Sequence, residues 1–148
     1  MGSAAVGVTV LSLSIAIPIL FGTATPFLAI ATGSMVPTFH RGEFVVIEHV
    51  APSAIHVGTI IAFSVSCLPS PTVHRVIEIV STGPNWVYQT KGDHNPVEDP
   101  CTVPYSHVLG KAVFYVPDLG FLILDPLLAA FVVAAIIVVP WGIRGLRS

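Results

Sequence analysis

Two long apolar runs bracket a stretch of quite different texture. The first extends from about Ala4 to Phe21, with an apolar continuation through Phe27, Leu28 and Ile30, and residues 1–33 carry no Asp, Glu, Lys or Arg. The second extends from about Leu119 to Trp141 and is interrupted only by Asp125-Pro126. Crossing about 30 Å of hydrocarbon takes roughly 17–25 apolar residues, so each run predicts a membrane-spanning helix. An aspartate in mid-bilayer would cost about 3 kcal/mol or more. Asp125 is therefore expected at the interface, with Pro126 opening the second helix. A cleaved leader ending at Ala29-Ile30-Ala31 is the competing reading of the first run. It lacks a positive amino-terminal region and would leave Ser34 on a fresh N-terminus.

Between the runs the period shortens to that of strands. Glu43–Val50 and Gly58–Ser66 are rich in Val, Ile and Phe. Pro69-Ser70-Pro71 breaks the chain before Thr72–Val80, where Val73, Arg75, Ile77 and Ile79 fall on one face and His74, Val76, Glu78 and Val80 on the other. Trp86–Thr90 and Val108–Val116 bring the total to about five strands, with Gly42, Gly58, Gly83, Gly92 and Gly110 at or near the turns and strand starts. The fold class is mainly β: a small, twisted β domain over residues 33–118, flanked by an N-terminal membrane segment (1–32) and a C-terminal one (119–148).

Composition agrees with this division. The 148 residues are 53% hydrophobic and only 9% charged, against about 25% charged in soluble domains. A net charge of −2 with no basic run gives no support for nucleic-acid binding. Arg144 and Arg147, beside Trp141, favour a cytoplasmic C-terminus, which places the β domain outside. Cys67 and Cys101 both lie in that exterior part, where disulfides persist. Pairing would add roughly 3–4 kcal/mol in the chain-entropy model; two buried free thiols are the alternative.

The candidate chemistry starts at Gly33-Ser34-Met35-Val36-Pro37-Thr38, a turn directly after the first apolar run. A serine hydroxyl is a poor nucleophile without an adjacent base. His40, His49, His56 and His107 read as loop or strand-end surface residues. His74 stands mid-strand among apolar neighbours, where a structural role is the commoner explanation. Lys91-Gly92-Asp93-His94-Asn95-Pro96-Val97-Glu98-Asp99 is a loop with three acids and a histidine; it lacks the alternation of a calcium loop. No pair among His94, His107 and the cysteines has zinc-ligand spacing. No metal or cofactor is implied.

Taken in order, these segments resemble the type I signal peptidases, in particular the archaeal and endoplasmic-reticulum branch. Gly33–Thr38 followed by Arg41–Ile47 is similar to the nucleophile box, Val57–Phe63 to the next strand, Thr72–Val76 to the base box, Lys91–Asp99 to the acid box, and Gly110–Pro117 to the last strand. Bacterial and mitochondrial members have lysine where this chain has His74, so the resemblance implies a serine–histidine mechanism on the signal peptidase type of β domain. It assigns Ser34 as nucleophile and His74 as general base, with the Ser34 backbone N–H and the Thr32 hydroxyl as oxyanion donors. Asp99 is favoured over Asp93 as the acid that orients His74, with Asp93 in support. Val36 in place of Glu, Thr59 after Gly58, His94 after Asp93 and Glu98 before Asp99 depart from the family pattern.

The implied function is a membrane-bound serine endopeptidase removing N-terminal signal peptides after Ala-x-Ala. Its partners would be secretory preproteins and membrane lipid, with a multisubunit complex open. A non-catalytic membrane assembly module with a relic fold, and a membrane protease of other specificity, are the competing hypotheses.

Overall fold

A computed structural model describes residues 16, 19–82 and 84–117. Both predicted spans lie outside the described residues, apart from Ala16 and Ile19–Phe21 of the first. Among the described residues no helix is long and apolar enough to cross a membrane.

The described part is mainly β. Seven strands, β1 (Phe27–Ala29), β2 (Phe44–Glu48), β3 (Ile60–Phe63), β4 (Thr72–Ser81), β5 (Val87–Lys91), β6 (Val103–Pro104) and β7 (Val108–Val116), form one sheet in the order β1-β2-β7-β3-β4-β5-β6. Every pairing is antiparallel. Two strands exceed the five expected. On hydropathy β1 reads as a continuation of the first apolar run, because Phe-Leu-Ala is as apolar as that run. β6 is only two residues long and includes a proline, tolerated because it pairs on one side only.

Both faces of the sheet carry packed residues. Ile30, Met35, Phe39, Val45, Ile47 and Ala62 form one core cluster. Ile55, Ile61, Phe63, Val76, Tyr88 and Val103 form the other. The alternation along β3 explains the split, since Ile61 and Phe63 point into one cluster and Ala62 into the other.

The two-faced reading of β4 holds only as far as Val76. The ladder with β5 shifts register between Val76 and Glu78 and again between Ile79 and Ser81. An extra residue at each shift reverses the alternation, so Ile79 packs against the same cluster as Val76 while Ile77 is exposed.

Cys67 and Cys101 form a disulfide, with Cα atoms 6.5 Å apart and a sequence separation of 34. It ties the segment before β4 to the segment after Asp99. The double substitution Cys67→Ser/Cys101→Ser is expected to lower unfolding stability by roughly 3–4 kcal/mol, read as a lower denaturant midpoint, with a larger m-value because the unfolded chain without the cross-link exposes more surface.

Candidate active site

Ser34 lies on the Ala31–Arg41 loop that joins β1 to β2. Two bonds close the neck of this loop: Ile30 N–H donates to Glu43 O (2.9 Å) and Gly42 N–H to Ile30 O (2.8 Å). Gly42 has φ +90°, a conformation that side chains resist. Inside the loop, Val36 N–H donates to Gly33 O (3.2 Å) and Phe39 N–H to Met35 O (2.9 Å). Met35 and Phe39, 1% and 5% exposed, anchor this turn in the core. Ser34, next to Met35, is thereby held at the surface in a fixed position.

The partners of Ser34 come from β4 and from the loop that follows β5. His74 Nε2 is 3.1 Å from Ser34 Oγ, and His74 Nδ1 is 2.7 Å from Asp99 Oδ2. His74 and Asp99 are each 5% exposed. Asp99 as a carboxylate can only accept, so Nδ1 carries the proton and Nε2 is free to accept from the Ser34 hydroxyl. The Thr32 hydroxyl lies 3.1 Å from Ser34 Oγ, on an exposed stretch of the loop. Asp99 is further bonded by the Thr90 hydroxyl to Oδ2 (2.6 Å), by its own N–H to Thr90 O (2.9 Å) and by the Gln89 amide to its carbonyl (2.8 Å).

Asp93 stands elsewhere. Arg75 grips it through two nitrogens, Nε to Oδ1 (2.8 Å) and an Nη to Oδ2 (2.7 Å), and the Thr38 hydroxyl donates to Oδ2 (2.5 Å). Arg75 also donates to Gly58 O (2.8 Å). The two aspartates of one loop therefore serve different partners, Asp99 the imidazole and Asp93 the guanidinium. Hydrogen bonding by Arg75 is the main cause holding the Asp93 carboxyl below the usual carboxylate range; Thr38 and the charge of Arg75 add to it, and burial opposes it. The same bond raises Arg75 above its ordinary value.

Gly92 allows the two loops to meet. A Cβ at this position would lie 2.7 Å from Ser34 O, 2.8 Å from Asn95 Nδ2 and 2.9 Å from His74 Nε2. His94 contributes its backbone N–H, which donates to Ser34 O (2.8 Å). Thr38, Gln89 and Thr90 escaped the sequence reading. Small polar residues in strands and turns carry no spacing signal, and their role depends on contacts between distant segments.

A groove of about 610 Å³ runs past Ser34. One wall is β1 and the residues after it, Phe27 to Thr32; the other is Leu68 to His74. β1 is an edge strand of the described sheet. Pairing with β2 uses alternate residues, Ile30 among them, which leaves the backbone groups of Phe27 and Ala29 on the free edge. The lining is mostly apolar; its polar side chains are Thr32, Ser34, Ser70, Thr72 and His74.

No family model matches the chain. Among curated proteins it is 29% identical over 109 residues to the signal peptidase complex catalytic subunit SEC11 of Plasmodium falciparum, covering 68% of this chain and 58% of that protein. It is 35% identical over 82 residues to the human signal peptidase complex catalytic subunit SEC11C, covering 55% and 43%. It is 28% identical over 128 residues to the SEC11 subunit of Schizophyllum commune, covering 70% and 65%. The chain thus has homologues named as signal peptidase catalytic subunits and spans less than two thirds of the length of each.

Two outcomes follow from the geometry. Gly92→Ala must push Ser34 and His74 apart; a displacement near 1 Å can cost about 100-fold in rate. A loss of that order in labelling of Ser34 by a fluorophosphonate is expected, with the thermal melt still cooperative. For Asp93 the folded pKa lies below the unfolded value of 3.8, so its stabilisation is complete above about pH 4 and is lost as pH falls through the depressed value. Asp93→Asn is expected to be less stable than the parent at neutral pH and to show a shallower loss of stability in acid, measured by denaturant titration from pH 7 to pH 2.

Proposed function

We propose that this chain is a serine endopeptidase that removes signal peptides from secretory precursors at a membrane surface. The observation that carries the reading is the continuous path from Ser34 Oγ through His74 to Asp99 on the wall of an open apolar groove. The homologues, named as catalytic subunits of signal peptidase complexes, support the same activity and suggest that further subunits assemble with this one.

The chemistry follows from the hydrogen-bond directions. Ser34 Oγ attacks the scissile carbonyl carbon as its proton moves to His74 Nε2, and Asp99 stabilises the resulting imidazolium through Nδ1–H. The oxyanion of the tetrahedral intermediate is met by the Ser34 backbone N–H and the Thr32 hydroxyl, which lies 3.1 Å from Oγ. Collapse of the intermediate breaks the C–N bond, and the proton on His74 passes to the leaving amine. Water then attacks the acyl carbon and gives a proton to His74 Nε2; as the ester C–O bond breaks, His74 returns that proton to Ser34 Oγ and the acid product leaves.

The substrate would lie extended along the groove, its main chain pairing with the free edge of β1 near Ala29. Shallow apolar walls suit small side chains next to the cleaved bond. The two apolar runs of the sequence would anchor the chain as flanking transmembrane helices, with the β domain on the extracytoplasmic or lumenal side. Exposed Phe27, Phe114 and Tyr115, together with Ile19 and Leu20, offer apolar surface to lipid.

Detergent-solubilised protein is expected to cleave a precursor after Ala-x-Ala, as read by the product N-terminus. Ser34→Ala and His74→Ala should each lower kcat by about 10⁶-fold, and Asp99→Asn by about 10⁴-fold. Asp93→Asn should retain activity within about tenfold, since Asp93 does not touch the imidazole. Cleavage surviving in Ser34→Ala would refute the assignment, and absence of cleavage by the parent chain would favour the non-catalytic assembly module.

A further inference from the structure

We propose that Thr90 is a positioning residue of the site: its hydroxyl fixes the rotation of the Asp99 carboxylate so that Oδ2 faces His74. The inference rests on the reading of Ser34, His74 and Asp99 as one catalytic unit and adds a fourth member to it.

Asp99 is held at three places, which differ in what they fix. Its N–H donates to Thr90 O at 2.9 Å, and its C=O accepts from the Gln89 amide at 2.8 Å. Those two bonds locate the backbone of the loop against β5. Neither constrains rotation of the carboxylate about its Cβ–Cγ bond. The Thr90 hydroxyl does, by donating to Oδ2 at 2.6 Å, the same oxygen that accepts from His74 Nδ1 at 2.7 Å. One oxygen with two lone pairs can take both donors. Their common choice of oxygen locks the group in the rotation that the imidazole needs.

The residue type supports the role. Thr90 is fully buried, opposite Val76 on β4 and two residues along β5 from buried Tyr88. Valine has the same shape and suits a buried strand at least as well. A hydroxyl is costly at such a place unless it has a partner, and among the described residues the side-chain bond that Thr90 makes is the one to Asp99. Its placement is equally specific. Thr90 is the penultimate residue of β5, so the strand that pairs with the His74 strand also supplies the group that aims the acid at the histidine.

The test compares the full chain in detergent with Thr90→Val and Thr90→Ser, using an Ala-x-Ala precursor peptide and proton NMR of the downfield His74 Nδ1–H resonance. That resonance is assigned by its loss in His74→Ala. Thr90→Val is expected to lower kcat roughly 10- to 100-fold, the range met when a partner that orients a working side chain is removed. KM should stay within about twofold, because the bound substrate does not touch Thr90. The resonance should broaden or move upfield, and Thr90→Ser should restore both readouts. Parental kcat and an unchanged resonance in Thr90→Val would overturn the proposal. So would a Thr90→Ser variant as impaired as Thr90→Val, which would mark the methyl group and its packing as the cause. If the parent cleaves nothing, the peptidase reading falls, while the resonance in Thr90→Val still decides whether Thr90 positions Asp99 against His74.

Discussion

The close approach of two loops, one carrying Ser34 and one running from Gly92 to Asp99, is the contact on which the rest of the site depends. The Ser34 carbonyl accepts from His94 N–H at 2.8 Å, and a side chain at Gly92 would collide with that same carbonyl. Neither loop is rigid by virtue of secondary structure. Each is tethered at its base: the first by the Ile30–Glu43 and Gly42–Ile30 bonds and by buried Met35 and Phe39, the second by the Asp99–Thr90 bond and the disulfide that follows it. A site built this way keeps its geometry through backbone bonds, which tolerate changes in neighbouring side chains. It tolerates very little at the point of contact.

The alternation of a single strand distributes the remaining work. His74 and Arg75 are neighbours on β4 and point to opposite sides. His74 turns toward Ser34 and Asp99, and Arg75 turns toward Asp93, Thr38 and Gly58. Arg75 thereby links the strand to both loops, since Thr38 lies on the Ser34 loop and Asp93 on the other. A bidentate guanidinium–carboxylate pair is directional as well as attractive, so it fixes the register between strand and loops. The imidazole is left free of that structural duty, and its two ring nitrogens meet the serine and the acid.

Much of this was legible in the residues. The strands of the central stretch, the two cysteines within it and the ordered boxes around Ser34, His74 and Asp99 are local features, and the three side chains do converge in space. Other features could not be read. β1 is apolar for two reasons at once, continuity with the preceding run and burial against β2, and hydropathy does not separate them. The register shifts in β4 reverse its faces beyond Val76 because of pairing with β5, which no property of β4 alone reveals. Thr38 and Thr90 acquire their meaning from residues 55 and 9 positions away, respectively. A threonine in a strand or turn has too many ordinary explanations for its type to point to a partner.

The central claim is that Ser34 and His74 act as one unit rather than as two independent contributors. A double-mutant cycle on kcat/KM for precursor cleavage tests this directly, comparing Ser34→Ala, His74→Ala and the double variant with the parent. Groups that share one proton-transfer step are grossly non-additive, so the double variant is expected to be no slower than either single one. A double variant slower by the product of the two single effects would contradict the account, because each side chain would then be acting without the other.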